Sequence, residues 1–118
     1  MVNSISFEIL VRQIVGFNRA WKRAKEKYGE SHPFTMAARD RKSAIQAKLL
    51  RDYYGQVWLE SHKVAGKEEL YSVRLGQSVR LANGELKKDG EHLPVRIANE
   101  ILTAEELIRF TSNPNSGG

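Results

Sequence analysis

The sequence predicts an α+β fold: an N-terminal antiparallel helix hairpin packed on a three- to four-stranded antiparallel sheet, with a short C-terminal helix. Three observations carry that expectation. Residues 5–28 hold a heptad-like apolar pattern, a second helical window closes at Gly55, and from Gln56 the apolar period switches to two.

In the first window Phe7, Leu10, Ile14, Phe17, Trp21, Ala24 and Tyr28 recur in alternating steps of three and four. At ~100° per residue these positions fall in one stripe about 100° wide, which suits a helix with one buried side. Asn3 or Ser4 can cap its start and Gly29 its end. Lys22, Lys25 and Lys27 crowd the last two turns, where positive charge opposes the negative end of the helix dipole. Gly16 costs about 1 kcal/mol against Ala in a helix interior, a cost that a closely approaching neighbour would explain.

The second helix is expected from about Thr35 to Tyr54, with His32-Pro33 breaking the chain before it and Thr35 as its cap. The short connection favours an antiparallel hairpin in which Ala37, Ala38, Ala44 and Ala47 make room for the large side chains of the first helix.

Past Gln56, a first strand runs to about Val64. Ser72-Val73-Arg74-Leu75 then recurs six residues later as Ser78-Val79-Arg80-Leu81. A hairpin at Gly76-Gln77 would oppose Leu75 to Ser78, against the parity rule, so one long strand bent at Gly76 is expected. Asn83-Gly84 reads as a type I′ turn that sets Leu81 opposite Leu86. Residues 87–90 read as a second turn. Leu93, Val95 and Ile97 read as a last strand, with Pro94 holding it to an edge. Thr103-Ala104-Glu105-Glu106 is a capping box opening a short helix to about Phe110. The chain is thus expected to form a single domain over 1–111, with 1–55 the basic helical hairpin and 56–111 the sheet plus short helix. Residues 112–118, rich in Ser, Asn and Gly, are expected to be disordered.

Charge follows the same division. Residues 1–55 contain eleven Lys/Arg and five Asp/Glu, a net of +6, while residues 56–118 contain eight and nine, a net of −1. A cationic half on a near-neutral scaffold points to a polyanionic partner. On the first helix Arg12, Arg19, Arg23 and Lys27 lie opposite the aromatic stripe, and on the second Arg41, Lys48 and Arg51 share a face. These seven side chains are the candidate phosphate contacts, positioning a nucleic acid (DNA or RNA) without reading its bases.

Chemistry is sparse by comparison. The chain has no cysteine, which removes disulfides, thiol catalysis and Cys-ligated zinc. His32, His62 and His92 are about thirty residues apart, unlike the clustered ligands of a metal site. No P-loop, G-x-G-x-x-G or G-x-S-x-G motif occurs. No catalytic residue, cofactor or metal is therefore assigned. No apolar run approaches the ~20 residues of a membrane span, and the first residues lack the pattern of a secretory signal, so a cytoplasmic protein is expected.

The leading expectation is a small non-enzymatic nucleic-acid-binding or ribonucleoprotein accessory protein. An alternative is a protein-interaction or inhibitor module of the mobile-element type, homodimeric through Ile5, Ile9, Val11 or Val15. A third is a small RNase, should the sheet bring His62 and His92 together beside an Arg and Glu60.

Overall fold

A computed structural model describes residues 6–112 and contains, in chain order, α1 (Phe7–Tyr28), α2 (Pro33–Asp52), β1 (Val57–His62), β2 (Leu70–Arg80), β3 (Leu86–Pro94), α3 (Val95–Ile101) and α4 (Ala104–Phe110). The strands form an antiparallel sheet in the order β1-β2-β3. α1 and α2 run antiparallel, with Phe7 edge-on to Tyr53 at one end and Tyr28 edge-on to Phe34 at the other. The expected class is therefore the observed one.

One core joins the two layers. Leu10, Val11 and Ile14 of α1 and Leu49 and Leu50 of α2 meet Val57 and Leu59 of β1, Val73 and Leu75 of β2, and Leu93 of β3. Full burial of each such aliphatic side chain contributes about 1.5–3 kcal/mol. Ile97, Leu102 and Phe110 close the C-terminal end of the same core.

The helix starts differ from the expected ones. Asn3 and Ser4 lie outside the described residues, and Ser6 is the cap of α1, its hydroxyl accepting from the Ile9 N–H at 3.2 Å. α2 opens at Pro33, two residues earlier than expected. The His32 Nδ1 accepts from the Phe34 N–H at 3.1 Å, and Pro33 sits in the first turn, where its missing N–H costs nothing. Thr35 is not a cap but a buried residue whose hydroxyl donates to the Gly29 carbonyl at 2.8 Å.

The buried side of α1 also drifts from the heptad stripe. Val11, Val15 and Asn18 are buried, Phe17 and Trp21 are half-buried, and Tyr28 is exposed. Val11 and Val15 are thereby removed from any dimer surface, Ile9 is exposed, and Ile5 lies outside the described residues. Gly16 is exposed with nothing near it, so no close approach explains it. The alanines of α2 do not line the helix interface as expected: Ala37 and Ala44 are exposed and only Ala47 is buried. The buried side of α2 is instead partly polar, comprising Thr35, Lys42, Ser43 and Gln46 beside Ala47, Leu49 and Leu50.

β2 is a single eleven-residue strand, as the parity argument requires. Between Arg74 and Val79 it advances five residues while β3 advances two, from Asp89 to Lys87, and Gly76 lies in that bulge. A side chain at Gly76 would press on the Gln56 carbonyl, 3.2 Å from the Cβ position.

The β2–β3 connection corrects the type I′ reading. Only Gly84 has positive φ (88°), Arg80 pairs with Leu86, and the Leu81 N–H donates to the Glu85 carbonyl. The loop is a residue longer than the two-residue turn, which shifts the register by one and leaves Leu86 half exposed.

Residues 87–90 form no turn but belong to β3, which carries one extra residue at Gly90–Glu91, where Glu91 has φ 67°. The Gln46 amide donates to the Gly90 carbonyl at 2.8 Å and the His92 carbonyl at 3.2 Å, satisfying groups that the bulge turns inward. Val95 and Ile97 are not strand residues. They open α3, in which Ile97, Ala98 and Ile101 have helical spacing against the core. α4 is the expected capping-box helix, with the Thr103 hydroxyl accepting from the Glu106 N–H and the Glu106 carboxylate from the Thr103 N–H.

Candidate functional site

The seven cationic side chains divide into two groups by what holds them. Arg12 reaches across to the sheet, donating through Nε and Nη2 to the Arg80 carbonyl at 3.1 and 2.9 Å. Lys48 pairs with Asp52 at 2.9 Å. Arg51 forks onto Glu106 at 2.7 and 3.0 Å and also donates to the Ile101 carbonyl, so it ties α2 to the C-terminal helices. That hydrogen bond raises the Arg51 pKa and, with the Thr103 N–H, holds the Glu106 carboxyl down at about 2. Arg51 thus has an internal structural role.

Arg19, Arg23 and Lys27 form the second group. Spaced four apart, they climb one exposed side of α1, and none has an ion pair among the described residues. Lys27 Nζ lies 5.3 Å from the centre of the Tyr28 ring. Arg41 on α2 is also exposed and without an ion pair among the described residues, with its guanidinium 5.6 Å from the centre of the Phe17 ring.

At the end of this cationic row, the hairpin tip presents three rings. Tyr28 and His32 stack at 4.4 Å, and Phe34 closes on both at 5.5 and 4.9 Å. The geometry follows from the local backbone. Gly29 at φ 91° reverses the chain, His32 is fixed by its cap bond to Phe34, and Pro33 starts α2. Phe34 is 63% exposed and Tyr28 42% exposed, unusual for side chains of their size. The sequence reading missed this cluster because Tyr28 continues the heptad stripe. The available signal was its place in the last turn before Gly29, with two further rings within six residues.

The sheet does bring His62 and His92 together. Their rings stack 5.5 Å apart on the exposed face, and Glu60 of β1 and Arg74 of β2 approach within 3.9 Å of one another. Glu60, Ser72 and His92 lie in one cross-strand row. Burial, and then the charge on His62, lowers the His92 pKa below 6.5. Tyr53 is half-buried edge-on to Phe7, and the exposed Tyr54 lies 6.1 Å from Phe110.

Among the described residues no group of His, Asp and Glu is arranged to hold a metal ion, and no helix is long and apolar enough to cross a membrane. No family model matches the chain, and no curated protein or solved structure matches it.

Proposed function

We propose that the protein binds single-stranded nucleic acid along the outer side of α1, with Arg19, Arg23, Lys27 and Arg41 at phosphates and the hairpin-tip rings at bases. The observation that carries this reading is the continuity of two features. A row of exposed cations without carboxylate partners among the described residues ends at Lys27, whose Nζ lies 5.3 Å from the Tyr28 ring of the exposed cluster. Proteins that hold single strands combine these elements, a basic track for the backbone and π-faces for the bases. Arg12 lies a further two turns back along α1, and Lys48 on α2 can exchange its exposed aspartate for a phosphate at little cost.

The test is fluorescence anisotropy with labelled single- and double-stranded DNA and RNA, on the native protein and on Phe34→Ala. Single-strand preference that weakens in Phe34→Ala supports the reading, since base–aromatic stacking is worth about 1–3 kcal/mol per base. Equal affinity for duplex and single strand, untouched by Phe34→Ala, contradicts it.

A second reading, cleavage of RNA phosphodiester bonds, is favoured by the stacked His62–His92 pair. Paired imidazoles on one face of the sheet are side chains of the type that exchanges protons in phosphodiester cleavage. It requires that the wild-type protein cleave RNA and that His62→Ala or His92→Ala abolish cleavage without unfolding. Absence of cleavage by the wild type ends it.

A further inference from the structure

We propose that the cavity between the helix hairpin and the β3–α3 corner is a binding site for a phosphate monoester, with Lys42 and Lys22 as the cations that receive the dianion. The cavity measures about 510 Å³, within the roughly 300–1,000 Å³ typical of small-molecule sites. Both helices, the connection between them, β2, β3 and α3 contribute to its wall.

Its charges leave a defined deficit. Five cations line it, Lys22, Lys25, Arg39, Lys42 and Arg96, against three carboxylates, Glu30, Glu68 and Glu91. Each carboxylate has a cation partner: Glu30 has Lys25 at 3.2 Å, Glu68 has Arg96 at 3.1 Å, and Glu91 shares Lys87 with Asp89 at 3.3 and 3.4 Å. Arg39 is paired to Asp40 at 3.0 Å. Lys22 and Lys42 remain without an ion pair among the described residues, an excess of two positive charges. A phosphate monoester carries about −1.5 to −2 at neutral pH and matches that excess, where a carboxylate would meet only half of it.

Lys42 is the informative member of the pair. It is only 5% exposed, and Glu91, the carboxylate that acts on it, makes no ion pair with it and is engaged by Lys87. Among the described residues the Lys42 ammonium donates one hydrogen bond, to the neutral Asn18 Oδ1 at 3.0 Å, and lies 5.0 Å from the centre of the Trp21 ring. Three N–H donors are therefore served by a single acceptor. Packing alone would be met by a methionine, without the desolvation of an ammonium.

The electrostatics give the site a pH signature. Burial lowers the Lys42 pKa to about 8, with Glu91 raising it and Lys22 lowering it further. The other charged or titratable groups around the cavity are Lys25 from α1, Arg39 from α2, Glu30 and Glu68 from loops, His92 from β3 and Arg96 from α3. At pH 7 the ammonium form prevails, and it is the form that binds an anion. Affinity should then decline as pH rises through about 8, with proton uptake on binding in that range.

This site does not rest on the nucleic-acid reading. Lys22 adjoins Arg19 at i,i+3 on α1, but it is turned about 100° or more around the helix from Arg23 and Lys27, and Lys42 is on α2, so variants at Arg23 and Lys27 distinguish the two.

The experiment is isothermal titration calorimetry of the whole chain with inorganic phosphate and AMP, with adenosine and benzoate as controls. Phosphate and AMP are expected to bind, and adenosine and benzoate to bind at least tenfold more weakly. Lys22→Gln should weaken AMP by about tenfold or more, the loss of one charge-assisted contact. Lys42→Met should remove binding with helical circular dichroism retained. If that buried substitution disturbs folding, the exposed Lys22→Gln decides. An Arg23→Glu/Lys27→Glu variant should keep its AMP affinity. Three outcomes would overturn the proposal: no heat from phosphate or AMP at millimolar concentration, benzoate binding as tightly as phosphate, or Lys22→Gln leaving affinity unchanged. Loss of AMP binding in the Arg23→Glu/Lys27→Glu variant would move the phosphate to the outer side of α1, which also refutes it.

Discussion

Replacing Gly90 by alanine tests the packing that shapes β3 where it passes over α2. Gly90 is buried and is not among the glycines with positive φ, so the demand on it is one of contact and not of backbone conformation. An added Cβ would stand 3.0 Å from Val73 Cγ1, 3.4 Å from Val73 Cβ and 3.7 Å from Leu49 Cδ2. Val73 and Leu49 are themselves fully buried and have no space to retreat into. Overpacking of this kind costs about 1–3 kcal/mol. Gly→Ala also stiffens the unfolded chain, which returns about 0.4–1 kcal/mol. The net expectation is a loss of roughly 1–2 kcal/mol, or a fall in Tm of about 5–10 °C. Urea denaturation followed by circular dichroism measures it. Trimming the neighbour supplies the control, because Val73→Ala opens the space the new methyl needs. The double variant should be less destabilised than the sum of the single ones by about 0.5 kcal/mol or more. A Gly90→Ala protein as stable as wild type, or strict additivity with Val73→Ala, would refute the reasoning.

Gly16 should respond in the opposite direction. It is exposed in mid-helix with nothing within 4 Å of an added Cβ, so Gly16→Ala is expected to stabilise by about 1 kcal/mol, read as a higher urea midpoint. Glu106 should shape the acid limb of stability. Arg51 and the Thr103 N–H hold its carboxyl at about 2 instead of 4.5, so its contribution is complete above 4.5 and is lost as pH falls toward 2. Glu106→Gln should therefore flatten the Tm–pH profile in that interval while lowering Tm at neutral pH.

The legible part of this fold was the part in which local signals and packing agree. The apolar period of α1, the parity of β2 around Gly76 and the Thr103–Glu106 capping box each gave the observed element. The errors have physical sources. Residues 93–97 alternate like a strand, but Ile97, Ala98, Ile101 and Leu102 also satisfy helical spacing, and the core accepts the helix. The turn at Asn83-Gly84 gained a residue because only Gly84 takes positive φ, and that moved the register. Residues 87–90 carry the charges and glycine of a turn, yet the Gln46 amide satisfies the inward carbonyls of Gly90 and His92 and the strand continues. No sequence rule reports a glutamine acting 44 positions away in this manner. Of the seven candidate phosphate contacts, sequence could identify the charges but not their partners. Arg51 is occupied by Glu106 and Arg12 by a carbonyl of β2, whereas Arg19, Arg23 and Lys27 face outward. The Tyr28–His32–Phe34 cluster and the buried Lys42 were hidden because a ring at a heptad position reads as core and a lysine reads as surface.

The salt dependence of binding is the most direct test of the proposed phosphate track on α1. Single-strand affinity would be measured by anisotropy across a series of salt concentrations for the wild type and for an Arg19→Gln/Arg23→Gln/Lys27→Gln variant that retains its helical circular dichroism. Each lost phosphate contact lowers the log–log slope by about 0.7, so the account predicts a slope reduced by about 2 together with weaker binding. A slope equal to that of the wild type would contradict it and place the protein's binding surface elsewhere.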